Sequence, residues 1–184
     1  RTIRKSCDLM KKIVLVGLAL IGLTSCDQKV TQYPVSYSND DFMKRSQERG
    51  KLLHQEELQW FDDYMKTSDL KFVKTNSGFW ISNSGQRTDK TANSGEYIEF
   101  EYQVSDLENN ILYSYNENKI QKIIIGKADI VRGLHAALQL IPEGESAKLL
   151  LPSFLAYGGY GDTQKIAPDT PIIMDVKVIA IKKH

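Results

Sequence analysis

The fold is decided by three stretches in the last third of the chain: Gly126-Lys127-Ala128-Asp129-Ile130-Val131-Arg132-Gly133-Leu134, Pro142-Glu143-Gly144-Glu145 and Pro152-Ser153-Phe154-Leu155-Ala156-Tyr157-Gly158. The first joins the end of an apolar run to a helical pattern, the second is a turn, and the third is a loop after the next apolar run. Any one of them is a common local pattern. Together, and in this order, they predict a strand end, a short helix, a further strand and a structured loop.

Period-two alternation surrounds these stretches from Leu70 onward and predicts β-strands. The predicted strands lie at 71–74, 78–81, 97–102, 111–113, 123–125, 147–151 and 172–181. Between two of them, apolar residues recur at helical spacing, at Ile130, Leu134, Ala137, Leu138 and Ile141. The pattern predicts an α+β fold in which a curved, mostly antiparallel β-sheet wraps around one short α-helix, over residues 69–184.

A helical arm is predicted before the sheet, over residues 40–68, with N-cap candidates at 39–41. Amphipathic spacing is clear only in its second half, at Leu53, Glu57, Leu58, Phe61, Tyr64 and Met65. Gly50 interrupts a polar first half, which is expected to project into solvent. Two interpretations remain open: Trp60, Phe61 and Tyr64 dock on the domain, or the arm pairs with a second copy to form a homodimer.

A bacterial lipoprotein signal peptide is predicted over residues 1–25. A basic segment leads into the apolar run 13–23, which ends in Leu23-Thr24-Ser25-Cys26. The run is shorter than the roughly 18 to 20 residues that span a bilayer. Met10 precedes two lysines, so residues 1–9 are interpreted as sequence upstream of the true start. We expect lipidation at Cys26, a flexible tether over 26–39, and anchoring to a membrane of the cell envelope, on the periplasmic side or at the outer membrane.

Composition argues against several other functions. The 184 residues carry a formal net charge of +1 and no basic stripe with interleaved aromatic residues, so we expect no nucleic-acid partner. The two cysteines, Cys7 and Cys26, lie outside the body of the chain and offer no disulfide framework. The histidines have no metal-site spacing, and His135 is interpreted as an exposed helix residue. The glycines of 158–161 are expected to permit positive φ in an irregular loop rather than to bind phosphate, and no cofactor is expected.

The three stretches resemble the FKBP-type peptidyl-prolyl isomerases. The resemblance implies the family's fold and an enzyme that accelerates rotation about the bond before proline in polypeptide clients. The barrier of about 18 to 20 kcal/mol comes from amide resonance. An apolar pocket favours the twisted amide, because it excludes the water that solvates the planar, dipolar one.

A narrower resemblance, to the gliding-motility-associated isomerase lipoproteins, rests on loop residues. These are Tyr157-Gly158-Gly159-Tyr160-Gly161-Asp162, Lys165-Ile166, Thr170-Pro171-Ile172-Ile173 and Ser105-Asp106-Leu107. It implies an envelope-anchored domain that assists folding of exported proteins, including those of the gliding and secretion apparatus.

The family resemblance also implies a set of site residues, carried over position by position. Tyr102 and Tyr113 correspond to aromatic pocket walls, and the backbone of Ile130 and Val131 to the segment that receives the peptide. Tyr157 corresponds to the hydroxyl that bonds the substrate carbonyl. The remaining positions are the pocket floor, a further apolar wall and the final strand, namely Leu134, Ile166 and Met174.

Four departures from the family pattern keep a second function open. Ser114 stands where the family commonly has Asp, Gln121 where it is often aromatic, Leu134 where it has Trp, and Met174 where it has Phe. These changes remove aromatic area and one carboxylate, which predicts a looser and wetter pocket with low activity. The alternatives are a non-catalytic chaperone or proline-segment-binding module with a degenerate pocket, and a structural lipoprotein with a vestigial groove.

Overall fold

The structure, a computed structural model, describes residues 40–82 and 90–183. The predicted signal peptide, Cys26 and the tether lie outside these residues. The α-helices are α1 Asp40–Thr67, α2 Tyr115–Asn118 and α3 Arg132–Ala137, and two single 3₁₀ turns cover Ser153–Leu155 and Gly158–Tyr160. The strands are β1 Phe72–Lys74, β2 Trp80–Ser82, β3 Tyr97–Ser105, β4 Ile111–Tyr113, β5 Gln121–Ile124, β6 Ser146–Leu151 and β7 Ile172–Lys182.

The strands form one seven-stranded antiparallel sheet in the order β1-β2-β6-β7-β3-β4. Strand β5 pairs with the first half of β3, from Tyr97 to Phe100, while β4 pairs with its end at Val104 and Ser105. Tyr102 lies between the part of β3 that pairs with β5 and the part that pairs with β4. Its carbonyl accepts a hydrogen bond from the side chain of Asn118 at 3.0 Å. The predicted α+β class with a mostly antiparallel sheet is confirmed.

Alternation along the strands places a different core on each face of the sheet. On one face, Leu149, Leu151 and Met174 belong to the main core, which includes Leu134 and Leu138 of the α3 segment. On the other face, a second buried cluster joins the sheet to α1, and its members are Phe61, Trp80, Leu150 and Ile173. The sheet is therefore covered by α3 on one side and by α1 on the other.

Two short helices differ from the prediction. Helix α3 begins at Arg132, with Val131 as N-cap, so Ile130 precedes it. Beyond Ala137 the backbone continues as a turn to Ile141. Helix α2 was not predicted, because four residues are too few to show a period. Ser114 and Glu117 form a capping box at its start, a signal that was readable from their spacing.

Helix α1 docks through part of the predicted face. Phe61 is fully buried and contacts Trp80 with ring centroids 5.2 Å apart. Tyr64 also packs against this cluster, whereas Trp60 remains 45% exposed, so the docking interpretation holds for Phe61 and Tyr64 but not for Trp60. The first half of α1 is exposed, as predicted. Within residues 40–82 and 90–183, the structure contains no helix with the length and apolar character needed to span a bilayer.

Candidate active site

A cavity of about 500 Å³ opens between the start of α3, strand β3 and the loop 152–171, here called the roof loop. It is lined by Tyr102, Asp129, Ile130, Val131, Arg132, Leu134, Ala156, Tyr157 and Met174. Six of the eight predicted site residues thus line one cavity. The other two, Tyr113 and Ile166, belong to the same core but are not part of the lining.

Close approach of α3 to the roof loop depends on Gly133. A Cβ atom at this position would lie 2.7 Å from the Leu151 Cδ2 atom and 3.1 Å from the Leu155 carbonyl oxygen. A Cβ atom there would force the Leu151 side chain to move and the Leu155 carbonyl to shift by a few tenths of an ångström. Glycine therefore lets α3 and the residues just before it, Ile130 and Val131, lie close to the loop that carries Tyr157.

Tyr157 lies between the two 3₁₀ turns of the roof loop. Burial raises the pKa of its hydroxyl to about 12, and the nearby Tyr102, Asp162 and Tyr113 add to this effect. No residue of the described chain hydrogen-bonds to this hydroxyl. The group is therefore protonated at neutral pH and can donate to a carbonyl oxygen that enters the cavity.

The carboxylate of Asp162 organises the far side of the roof loop. One oxygen accepts from the backbone N–H groups of Gln164, Lys165 and Ile166 at 2.9, 3.0 and 2.8 Å, and the other accepts from the Tyr113 hydroxyl. Burial raises the pKa of Asp162, but the hydrogen bonds from Tyr113 and the backbone outweigh it and hold the pKa below its usual range. Tyr113 is thereby fixed beside the cavity.

A carboxylate is therefore present near the pocket in spite of Ser114. Lys165 contacts the Tyr113 ring at 4.5 Å from its centroid and bonds the Glu117 carboxylate at 2.6 Å. That contact, together with the Ser114 backbone N–H, lowers the pKa of Glu117 to about 2. The departure at Ser114 therefore does not leave this region without a carboxylate, because Asp162 supplies one from the roof loop.

Other residues lie differently from the prediction. His135 is half-buried, and its Nε2 atom accepts a hydrogen bond from the Gly126 N–H at 2.8 Å. It therefore stabilises the turn before α3, whereas the sequence predicted an exposed helix residue. The Gln121 side chain donates to the Asn118 carbonyl and is not part of the cavity lining. Of the three glycines in 158–161, Gly158 and Gly161 adopt the predicted positive φ and Gly159 does not. A Cβ at Gly161 would lie 2.2 Å from the Ile166 carbonyl oxygen, so the tight closure of the loop requires glycine there.

Sequence reasoning missed Asp129, Arg132 and Ala156 as lining residues. Asp129 and Arg132 are exposed at the rim, and Ala156 is half-buried. Charged residues at the start of a helix are ordinary in any sequence, so nothing in the pattern marked these two. For Ala156, the only signal in the sequence was its position directly before Tyr157.

Among the described residues, no group of three or more His, Cys, Asp or Glu side chains could hold a metal ion.

Asp162 is expected to make the stability of the domain pH-dependent. Its folded-state pKa lies below the ordinary value of 3.8, so its stabilising contribution is complete above the unfolded-state pKa and is lost as pH falls through the folded-state pKa. Between about pH 5 and about pH 2, wild type should lose more stability than Asp162→Asn. Urea unfolding at both pH values measures this, with the exposed rim variant Asp129→Asn as control. Equal losses in wild type and Asp162→Asn would contradict the assignment.

Comparison with solved structures identifies the fold. A peptidyl-prolyl cis-trans isomerase from Pseudomonas syringae aligns with a TM-score of 0.58 and 20% identity, over 72% of this chain and 96% of that chain. FkpA from Escherichia coli aligns with a TM-score of 0.59 and 17% identity, over 94% of this chain and 82% of that chain. Identities this low establish a common fold alone.

Sequence comparison identifies the family. Residues 88–179, half of the chain, match the family model for the FKBP-type peptidyl-prolyl cis-trans isomerase. FK506-binding protein 3 of Dictyostelium discoideum is 32% identical over 101 residues, which are 53% of this chain and 52% of that protein. The human peptidyl-prolyl cis-trans isomerase FKBP9 is 25% identical over 88 residues, which are 47% of this chain and 15% of that protein. The chain thus spans about half the length of the first relative and much less of the second. It belongs to the FKBP-type peptidyl-prolyl cis-trans isomerase family.

Proposed function

We propose that this chain is itself a peptidyl-prolyl cis-trans isomerase acting on proline-containing polypeptides. The observation that carries the proposal is the Tyr157 hydroxyl, which is a protonated donor in the lining of the cavity and has no hydrogen-bond partner within the described chain. The side chains of Ile130, Val131, Leu134 and Met174 in this lining offer a proline ring an apolar contact surface.

The reaction needs no nucleophile, because no covalent bond breaks when the amide rotates. Rotation removes the resonance that joins the nitrogen to the carbonyl, so the twisted amide is less dipolar than the planar one. An apolar cavity therefore favours it relative to water. Tyr157 would donate to the carbonyl oxygen as it turns, while the walls hold the proline ring in place.

Tyr157→Phe is expected to lower kcat/KM about two- to tenfold, because it removes a hydrogen bond of about 0.5 to 1.5 kcal/mol and leaves the ring in place. A protease-free assay of Ala-X-Pro peptides, monitored by NMR exchange, measures the rate. Tyr160→Phe is the matched control, since Tyr160 lies in the same loop and is 89% exposed. A wild-type chain without any rate above the uncatalysed background would refute the isomerase proposal.

A chaperone without catalysis is the second candidate. It is favoured by Leu134 at the pocket floor and by Gln121, which does not line the cavity, because both reduce the aromatic area around a proline ring. Such a module would bind unfolded chains in the same groove. Refolding of a proline-limited protein separates the two: an isomerase speeds the slow phase, whereas a holding module delays aggregation and leaves the rate of that phase unchanged.

We propose further that the protein is a lipoprotein of the cell envelope, anchored through Cys26 and serving exported clients, including those of the gliding-motility machinery. The support is the signal-like segment 1–25, which ends directly before this cysteine, and the loop residues shared with the gliding-associated branch. Metabolic labelling with an alkyne fatty acid tests the anchor. Label that persists in Cys26→Ala would contradict lipidation at this residue.

We also propose that α1 forms a homodimer with a second copy. Its docking stripe continues toward the N-terminus, since Met43 lies 18 residues, or five full turns, before the buried Phe61 and is 54% exposed. Phe42 beside it is exposed as well. Pairing with another copy would cover both. Light scattering of the full chain in detergent tests this proposal, and a monomer at micromolar concentration would exclude it.

A further inference from the structure

Helix α1 places a buried carboxylate against the start of the roof loop. Glu57 is only 1% exposed, and its Oε1 atom accepts from the backbone N–H of Ser153 at 3.2 Å. Its Oε2 atom lies 3.8 Å from Nδ1 of His54, a buried nitrogen that has no hydrogen-bond partner within the described residues. A carboxylate is costly to bury unless it is paired, so this contact demands an explanation.

The donor of this contact is the first N–H of a helical turn. Ser153 begins the 3₁₀ turn Ser153–Leu155, and its N-cap Pro152 provides no side-chain cap. The first N–H groups of a helical turn have no partner within it, so they need one from outside. Glu57 supplies that partner from a different element, 96 residues earlier in the chain.

From Ser153 a short covalent path leads to the cavity. One 3₁₀ turn separates it from Ala156 and Tyr157, both of which line the cavity. The Leu155 carbonyl between them lies against Gly133 of α3. The turn is therefore fixed at its beginning by Glu57 and at its end by close packing on α3, and a shift at Ser153 would move the Tyr157 hydroxyl.

A second contact from α1 reaches the other part of the loop. Arg49 lies 3.5 Å from the Asp169 carboxylate, and the Asp169 N–H donates to the Gly158 carbonyl at 2.8 Å. The Arg49 side chain is 81% exposed, and ion pairs this exposed contribute little. The Arg49–Asp169 pair should therefore stabilise the roof loop less than the buried contact between Glu57 and Ser153 does.

We infer that Glu57 is a positioning residue for Tyr157, so that the helical arm is part of the catalytic unit rather than only a spacer. The inference rests on the proposed isomerase function. Glu57 does not touch substrate. It sets the position of the hydroxyl that does, through the backbone of the first turn of the roof loop.

The test compares four variants of the full chain. Glu57→Leu removes the acceptor and should lower kcat/KM on the order of tenfold, as expected for a displaced catalytic group. Glu57→Gln keeps an acceptor oxygen and should stay within about twofold of wild type. Glu56→Gln, an exposed neighbour with the same change in charge, should have no effect, and Arg49→Gln a smaller effect than Glu57→Leu. Wild-type kcat/KM in Glu57→Leu, or an equal loss in Glu57→Gln, would overturn the inference.

Two further measurements separate positioning from general destabilisation. Amide exchange at Ser153 should accelerate in Glu57→Leu while exchange in β7 is unchanged.

The second measurement uses Ser153→Pro, which removes the N–H that Glu57 accepts from. The φ of −57° and ψ of 152° at Pro152 suit a residue before proline. In that background Glu57→Leu should have no additional effect on kcat/KM. An additive loss would overturn the inference. If Glu57→Leu folds poorly, Ser153→Pro alone tests the same contact, because it removes the donor and leaves Glu57 in place; wild-type kcat/KM in that variant would likewise overturn the inference.

The two proposals fail in different ways. An inactive wild-type chain would refute the isomerase function, and the Tyr157 ring signals and the affinity for an Ala-X-Pro peptide would then replace kcat/KM as readouts. If Glu57→Leu altered neither the Tyr157 signals nor that affinity, the positioning role would be refuted independently of catalysis.

Discussion

Val131→Asp is expected to lower kcat/KM about a hundredfold without unfolding the domain. Val131 lines the cavity, and a carboxylate there replaces an apolar wall with a charge that must keep its water. Covering such a charge with a substrate costs several kcal/mol, which corresponds to a rate loss of about this size. Peptide turnover measures the loss, and chemical shifts of β7 report whether the fold is kept.

The fold should survive because residue 131 is also the N-cap of α3. Val131 has the extended N-cap backbone, φ −58° and ψ 138°, and makes no side-chain capping bond. Aspartate is among the preferred N-cap residues and adds about 1 kcal/mol, which offsets the lost burial of the valine. Val131→Asn is the matched variant, since it can cap without a full charge and should retain more activity. Equal activity of wild type and Val131→Asp would show that this wall does not contact the substrate.

Phe61→Ala is expected to lower the free energy of unfolding by about 3 to 5 kcal/mol. Phe61 is fully buried and is the main contact of α1 with Trp80, Leu150 and Ile173 on the sheet. Removing its ring leaves a cavity between two rigid surfaces. Urea unfolding followed by tryptophan fluorescence measures the change, because Trp80 lies beside the ring.

The matched control for this substitution is the adjacent residue. Trp60 precedes Phe61 but is 45% exposed and outside the buried cluster, so Trp60→Ala should change the free energy of unfolding by less than about 1 kcal/mol. A loss below about 1 kcal/mol for Phe61→Ala would mean that α1 is loosely attached and contributes little to the stability of the domain.

Much of the sheet could be predicted because its strands alternate over several residues. The run at 97–102 was recognised and extends to Ser105 in the structure. The exposure of Trp60 could not be predicted from its neighbour Phe61, because consecutive helix residues differ by about 100° in direction. Helix α2 escaped because four residues show no period.

The cavity could be predicted where the family resemblance placed residues in register, from Tyr102 to Met174. The Asp162 contact could not. Its partner Tyr113 lies 49 residues earlier, and the two meet only because Gly161 and the backbone N–H groups that follow bend the loop back. Glu57 was recognised as part of the docking face, yet its contact with Ser153 depends on how the roof loop begins, which no local pattern encodes.

The place of β7 in the sheet determines when the domain can be completed. The chain leaves the ribosome N-terminus first, at about 5 to 20 residues per second. Until Ile172 and the residues after it emerge, β6 and β3 have no strand between them, since β7 is the partner that joins these two halves of the sheet. Early folding is therefore limited to the separate halves, and a premature stop before residue 172 removes the middle of the sheet rather than an edge.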